Sequence, residues 1–565
     1  SRGIPLSRDR LADSQWIDIA SPTLVSSERT LTPMPKPPIA PSLFVSLGVG
    51  VVAAVGGFLF GYDIGVISGA LLSIREEFGL SDFFSELITA GVLIGAVLGA
   101  AGGGWMADRF GRRLSNMVAG VIFGVGALFL AFVPDPLWLI LGRIVIGLGV
   151  GLASVVGPLY ISETSPPAKR GGRVSLFQFA IVLGILAAYV VDAIFTGFSE
   201  GWRWMFGLGG IPGFFLFFGF LFMPCSPRWL IMRGRLEEAR AVLQQLIPAD
   251  TVDAEFERIA GDIDRGKKGT RTPLRSVPGI RLGLAVALGL AILQQFIGIN
   301  TILFYAPIHF QHAGFKSDSA ALAATVGLGL VNMLATLIAL RYVDRVGRRP
   351  LLIWGTAGMT LSLAVMAVGF AFMPPPAPDV TAASKAPHTA HAPSAAAHYL
   401  GASKAEAAGT NANVETSDAS TETSPPDAKT APAEDSISPF AIVVLVFTAI
   451  FVACFAFSLG PITWTMIAEI FPNEVRDRCV ALAASVNWAS NFVISLTFLS
   501  LLGYLGPAMT FSLYGLVGLV GVFWIWKVIP ETKGYTLEEI EENLARGDRT
   551  KWLPPGSDAP LAKKD

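Results

Sequence analysis

Apolar residues fall in long runs at roughly 44–74, 85–107, 114–133, 137–162, 174–196 and 204–223, and again at 282–308, 320–341, 350–373, 438–468, 480–502 and 508–529. Each run reaches the roughly 20 residues that a helix rising ~1.5 Å per residue needs to cross ~30 Å of hydrocarbon. Backbone groups in lipid must be satisfied within their own segment, so the runs are predicted to be helices. The pattern predicts an all-α membrane protein with twelve transmembrane helices, six plus six.

Four polar stretches punctuate this pattern and define the organisation. Residues 1–43 form a tail, 44–223 a six-helix bundle, 224–281 a linker with short helices, 282–529 a second six-helix bundle, and 530–565 a second tail. Within the linker, 235–247 carries helical periodicity with charges on one face. The 374–437 insert in the second bundle is rich in Ala, Ser, Thr and Pro, a disorder composition, and lacks an Asn-X-Ser/Thr sequon. The first 43 residues have no apolar core and are not expected to act as a cleavable signal peptide.

Composition agrees: 52% hydrophobic and 15% charged residues exclude a chain of ordinary soluble domains. A formal charge of −1 with no basic face argues against a nucleic-acid partner. Cys225, Cys454 and Cys479 show no metal-ligand spacing and read as free thiols, and no cofactor is expected. Lys and Arg set the orientation. Eleven lie in 224–281, and the connectors 108–113, 163–173 and 344–349 are also basic, whereas the 374–437 insert has three lysines and eight acids. Both termini are therefore expected to be cytoplasmic and the insert outside.

An internal repeat follows the same six-plus-six division. Asp108-Arg109-Phe-Gly111-Arg112-Arg113 after the second span recurs as Asp344-Arg345-Val-Gly347-Arg348-Arg349 after the eighth. Glu163 with Arg170 after the fourth span recurs as Glu469 with Arg476 after the tenth. These loops read either as positive-inside anchors or as a cytoplasmic gate. The gate would be made by Asp108, Arg112, Arg113, Glu163 and Arg170 with Asp344, Arg348, Arg349, Glu469 and Arg476, and would close when the outer side is open.

Two ionisable groups stand alone deep in apolar sequence, Asp63 in the first span and Arg143 in the fourth. A charge at helix centre costs roughly 2.5–3.5 kcal/mol on insertion scales and commonly pairs or lines a water-filled cavity. Asp63 lies about 16 Å, and Arg143 about 9 Å, from the outer ends of their spans at ~1.5 Å per residue, depths at which they can meet. They read as a static packing pair or as a proton switch, in which protonation of Asp63 releases Arg143.

Uncharged polar residues form a third group: Gln178, Gln294, Gln295, Asn300, Asn332 and Asn487, with Trp464 and Trp488. Amides donate and accept without ionising, which suits a ligand of neutral hydroxyls, and indoles suit the C–H face of a ring. Interhelical hydrogen bonding is the alternative for each. Gly56, Gly57, Gly61, Gly65 and Gly69, Gly298, and Gly460-Pro461 are expected to break spans 1, 7 and 10 or to let helices pack closely.

These residues bring out a resemblance. From about 44 to 545, outside the insert, the chain resembles the sugar-porter branch of the major facilitator superfamily and is most similar to its proton-coupled myo-inositol transporters. The resemblance is carried by FLFGYDIGVISGAL at 58–71, DRFGRR at 108–113, GR at 142–143, YISETSPPAKRG at 160–171 and SPRWL at 226–230. It continues through QQFIGINTILFYAP at 294–307, DRVGRR at 344–349, GPITW at 460–464, EIFP at 469–472, NWASNF at 487–492 and PETKG at 530–534.

The resemblance implies the major facilitator fold, substrate contacts from Phe60, Gln178, Gln294, Gln295, Asn300, Asn332, Trp464, Asn487 and Trp488, and a coupled proton on Asp63 facing Arg143. Facilitative glucose carriers commonly have a neutral residue at the position of Asp63, which favours symport. GWRWMFG at 201–207, preceded by VVD at 190–192, is similar to inositol transporters, with a solvated Asp192 as the alternative reading. Departures are Cys225 for the usual Glu, Leu340 for Gly, Phe304 for the first of two tyrosines, and Thr463 for Pro.

The expectation is a multi-pass plasma-membrane carrier, not an enzyme, functional as a monomer in the lipid bilayer. It would move a neutral cyclic polyol, myo-inositol first, inward with a proton, H+ being the coupling ion. Rivals are a proton/hexose symporter, a facilitative hexose uniporter and a non-transporting nutrient receptor. The five histidines, His309, His312, His388, His391 and His398, fall in or beside outer connectors, and no nucleophile–base set stands out.

Overall fold

The computed structural model describes residues 43–166, 170–269, 273–315, 317–373, 439–472, 475–535 and 537–546. The 374–437 insert, His388, His391, His398 and the first tail lie outside the described residues.

The first half comprises α1 (Leu43–Phe78), α2 (Asp82–Phe110), α3 (Arg112–Ala131), α4 (Pro136–Thr164), α5 (Arg170–Phe195), α6 (Gly201–Leu208) and α7 (Gly210–Leu221). Three short helices follow, α8 (Pro227–Met232), α9 (Leu236–Leu246) and α10 (Val252–Gly269). The second half comprises α11 (Ile280–Phe296), α12 (Ile299–Phe304), α13 (Ala306–His312), α14 (Asp318–Val346), α15 (Arg348–Ala371), α16 (Pro439–Phe457), α17 (Leu459–Glu469) and α18 (Arg476–Val528), and α19 (Leu537–Arg546) ends the described chain. Among the described residues, eleven stretches are long and apolar enough to cross a membrane. The last contains a non-helical Gly506 followed by Pro507, so it counts as two spans and the total is twelve.

Local chemistry sets the helix ends. Asp135 precedes Pro136 and accepts from the N–H groups of Leu137 (3.0 Å) and Trp138 (3.3 Å), satisfying donors that α4 cannot pair internally. Gly111 (φ 93°) and Gly347 (φ 107°) turn the chain from α2 into α3 and from α14 into α15. Only glycine adopts such φ values freely, which explains the glycine in both D-R-x-G-R-R loops.

The glycines of spans 1, 7 and 10 are expected either to break their helices or to let them pack closely; the structure shows breaks in spans 7 and 10 and close packing in span 1. Span 7 interrupts at Gly298 (φ 93°), and span 10 at Ser458 (φ −126°, ψ −97°), just before Gly460-Pro461. Span 1 is continuous, because its glycines serve close packing. A Cβ on Gly61 would lie 1.8 Å from the Ile181 carbonyl oxygen, one on Gly57 2.5 Å from that of Phe177, and one on Gly65 2.6 Å from Ala188 Cβ. This small-residue stripe lets α1 lie directly on α5, the membrane counterpart of a small-xxx-small interface.

The halves meet symmetrically. Helix α2 packs on the first part of α18, and α5 packs on α14, so the second span of each half meets the fifth of the other. Within the halves, α2 lies on α4 and α15 on α18.

Candidate functional site

The structure places Asp63 of α1 directly against Arg143 of α4. Arg143 Nη1 donates to Asp63 Oδ1, and both residues are buried. Arg143 Nε reaches the Ile88 carbonyl at 3.4 Å, its guanidinium carbon lies 5.8 Å from the Phe206 ring centroid, and Nη2 has no hydrogen-bond partner among the described residues. Among the described residues, Asp63 is thus the single carboxylate paired with Arg143, beside the weaker carbonyl and ring contacts.

Four of the amides form one hydrogen-bonded set. Asn487 Nδ2 donates to Gln294 Oε1 (2.7 Å) and to the Ala291 carbonyl (3.0 Å), while Asn487 Oδ1 accepts from Gln295 Nε2 (3.1 Å). Asn300 Nδ2 donates to Gln295 Oε1 (2.7 Å), and Gln294 Nε2 donates to the carbonyl of Leu459 (2.7 Å), the first residue of α17 after the break in span 10. The two interrupted spans therefore meet at the amide cluster. The four amides together hold donors and acceptors suited to a hydroxylated ligand.

Phe60 of α1 and Trp488 of α18 lie with ring centroids 5.1 Å apart, a contact between the halves. Gln178 is half-buried on α5, Asn332 buried on α14, and Trp464 38% exposed on α17; they sit on neighbouring helices outside the hydrogen-bonded set. Thr463, one of the departures, is buried with its hydroxyl unbonded.

At the end bearing the basic loops, the gate residues pair within their own halves. Arg112 meets Glu163 (2.9 Å) and Asp108 (3.2 Å), Ser226 donates to Glu163, and Arg228 lies 3.9 Å from it. Arg113 donates to the carbonyls of Phe220 (2.9 Å) and Leu221 (2.6 Å). Correspondingly, Arg348 meets Glu469 (3.2 Å), Thr532 donates to Glu469 (2.7 Å), and Arg349 donates to the Trp526 carbonyl (2.7 Å). Arg476 donates to the Phe471 carbonyl (2.9 and 3.1 Å). The side chains of Arg170 and Asp344 lie outside the described residues. Ser226, Arg228, Glu531 and Thr532 join these sets without having been singled out for it; their only signal was membership of SPRWL and PETKG.

Polar ties between halves are found at the opposite end. Glu86 of α2 accepts from both the N–H and the hydroxyl of Ser500 at 2.7 Å each, and the Tyr189 hydroxyl donates to the Leu303 carbonyl at 2.8 Å. Glu86 escaped notice because it stands at the edge of its apolar run. Asp192 is not solvated: it is fully buried where α5 meets the α1 glycine stripe, accepting from the Gly69 N–H (2.9 Å) and Ser68 hydroxyl (3.5 Å). His309 is likewise buried within α13, with Nε2 3.2 Å from the Thr301 carbonyl and its ring against Phe498 and Phe511, so it is core and not connector.

Residues 49–388 and 428–544 match the family described as Sugar (and other) transporter. The chain belongs to this family. Inositol transporter 4 of Arabidopsis thaliana is 36% identical over 536 residues, covering 89% of this chain and 92% of that one. The proton myo-inositol cotransporter of Homo sapiens is 34% identical, covering 87% of this chain and 81% of its own. Among solved structures, the proton:xylose symporter XylE bound to 6-bromo-6-deoxy-D-glucose is 30% identical, with TM-score 0.66 over 88% of this chain and 98% of that one. The chain is accordingly a sugar-porter membrane transporter of the major facilitator fold, with two six-helix bundles, and not an enzyme.

Proposed function

We propose that this sugar porter is a proton-coupled symporter that carries a neutral cyclic polyol, myo-inositol first, inward by alternating access. The observation that carries the coupling is the burial of Asp63 against Arg143. A buried pair is held by mutual attraction against a large desolvation cost, so neutralising one member removes the reason for contact. Protonation of Asp63 from outside frees α1 from α4; the polyol then engages the amides of Gln294, Gln295, Asn300 and Asn487, with Gln178, Asn332 and Trp464 on the facing helices and Phe60 and Trp488 across the ring face. Substrate drives the rocking only by its differential affinity for the two states.

By the positive-inside rule the basic loops and both termini face the cytoplasm. The arrangement described, tied at Glu86–Ser500 and paired within each half at the basic loops, is then inward-facing, and Asp108, Arg112, Arg113, Glu163, Arg170, Asp344, Arg348, Arg349, Glu469 and Arg476 latch the halves in the outward-facing state. H+ is the coupling ion and no cofactor takes part. The transporter acts as a monomer in the plasma membrane. Support for inositol comes from the two inositol-transporting relatives, and support for a second reading, a proton/pentose or hexose symporter, from the likeness to the xylose symporter.

Proteoliposomes decide. An imposed inward proton gradient is expected to drive uphill accumulation of labelled myo-inositol. Gradient-independent equilibration makes the chain a uniporter, binding without flux makes it a receptor, and accumulation of xylose or a hexose in place of inositol selects the second reading.

A further inference from the structure

One buried histidine has no part in the coupling pair, the amide set or the gate. His309 of α13 lies with its ring centroid 4.9 Å from that of Phe498 and 5.4 Å from that of Phe511, and it is fully buried. Its Nδ1 has no hydrogen-bond partner, so the side chain makes one hydrogen bond, between Nε2 and the Thr301 carbonyl at 3.2 Å. A carbonyl only accepts, so Nε2 carries the hydrogen and donates. An apolar side chain of similar size would fill the space between the two phenyl rings without leaving a ring nitrogen unpaired, so packing alone does not account for a histidine here.

The one bond it makes crosses a break in span 7. Helix α12 is a single turn, Ile299–Phe304, entered through Gly298 at φ 93° and left through Tyr305 at φ −115° and ψ 21°. A turn this short has too few internal hydrogen bonds to hold its own shape. The Thr301 carbonyl accepts from the Tyr305 N–H at 3.1 Å, and its second lone pair takes Nε2 of His309, one turn into α13. His309 thereby staples α13 to α12 across Tyr305. Asn300, immediately before Thr301, donates from Nδ2 to Gln295 Oε1 at 2.7 Å, and the Leu303 carbonyl, two residues after it, accepts from Tyr189 of the first half at 2.8 Å. The stapled turn thus carries both a member of the amide set and an anchor point between the halves.

We propose that, with the amide set taken as the polyol site, His309 is a positioning residue: by holding the Thr301 carbonyl it fixes the orientation of α12 and so aims the Asn300 amide at a hydroxylated substrate. Without the donor, α12 samples orientations in which Asn300 is misaligned. Substrate must then order the turn as it binds, so affinity falls while the maximal rate is kept.

The test compares His309→Phe, which keeps a ring and loses the donor, with His309→Gln, which keeps a side-chain N–H. The first measurement needs no ligand: hydrogen exchange of the backbone amides of 298–305 in the purified full chain. His309→Phe is expected to speed it roughly tenfold, and His309→Gln to leave it near wild type. The second is uptake into proteoliposomes of labelled myo-inositol, or of xylose where that is the sugar carried. A KM raised roughly 5- to 10-fold in His309→Phe is expected, with the maximal rate within about twofold of wild type and the KM restored in His309→Gln. In an Asn300→Ala background His309→Phe is expected to raise KM no further, a non-additivity that general destabilisation does not produce. Unchanged exchange in His309→Phe overturns the staple. Faster exchange with an unchanged KM, or an equal KM increase in the Asn300→Ala background, overturns the positioning role. Should His309→Phe fail to fold, a raised KM in His309→Gln with wild-type exchange still overturns it. Wild type that takes up neither inositol nor a sugar sinks the proposed function, while the exchange measurement still decides the staple.

Discussion

The buried polar side chains of the first half include Asp63, Glu86, Arg112, Arg143 and Asp192, whereas the second half, among the described residues, buries Gln294, Gln295, Asn300, Asn332, Asn487 and Asn491 and no carboxylate, lysine or arginine. Duplicated halves that share loops, corners and helix order have thus diverged in the chemistry of their interiors. Charged groups answer to protons and break contact when neutralised; amides answer to hydroxyls and keep their bonding across the pH range. The contrast supports the proposed division, in which energy input rests on the first half and most ligand recognition on the second, with Phe60 in ring contact with Trp488 between them.

The largest expected effect is at Asp63. Asp63→Asn keeps a hydrogen-bond acceptor for Arg143 but cannot take a proton, so uphill accumulation is lost and labelled polyol reaches only its equilibrium distribution, while exchange across the bilayer persists. Gradient-driven accumulation by this variant in proteoliposomes would remove the proton from the first half and end the division of labour.

Asn487→Ala sharpens the other side of the contrast. It strips partners from Gln294 and Gln295 at once, and each buried hydrogen bond lost costs about 1–3 kcal/mol. A KM raised roughly 10- to 100-fold is expected, with uphill accumulation intact at saturating substrate. A variant with unchanged KM and no coupling would reverse the assignment.

A smaller effect tests the packing that lets charge be buried in the first half. Gly61→Ala drives a methyl into the Ile181 carbonyl and is expected to destabilise by about 1–3 kcal/mol, read as a lower unfolding temperature. Gly327→Ala on α14, with open space around its Cβ position, is expected to be neutral or slightly stabilising. Equal sensitivity at both sites would contradict the close α1–α5 contact. Least of all, Glu86→Gln weakens the clasp on Ser500. A loss of about 1 kcal/mol moves the population some fivefold toward the outward-facing state. Spin labels at Phe198 and Tyr504, exposed positions on opposite halves, would report it as an increased share of long distances.

Much of this was legible from residue order alone. The runs and their lengths predict the helices to within a few residues, and the paired D-R-x-G-R-R loops announce corners whose glycines indeed take positive φ. Asp63 and Arg143 are conspicuous because each is the single charge in its run. Asp192, by contrast, sits near the end of an apolar run, where the same letter describes a solvated charge and a buried one; only the approach of Gly69 on α1 decides that it is buried. The glycines of span 1 were ambiguous for a related reason, since a missing side chain permits both a kink and a close contact, and the neighbour that selects between them is more than a hundred residues away. Glu86 needed Ser500, 414 positions distant, to be seen as a tie between halves.

Sequence by itself determined what each segment must do alone: which stretches are apolar enough for lipid, where helices stop, and which side chains are too costly to bury unaccompanied. Those are properties of a residue and its near neighbours, and they hold before the chain is folded. Tertiary structure alone decided who accompanies whom. It set Asp63 on Arg143, closed the amides of two broken spans into one set, and paired gate residues within their own halves. Partner choice depends on distances between helices remote in sequence, and desolvation makes that choice count for several kcal/mol.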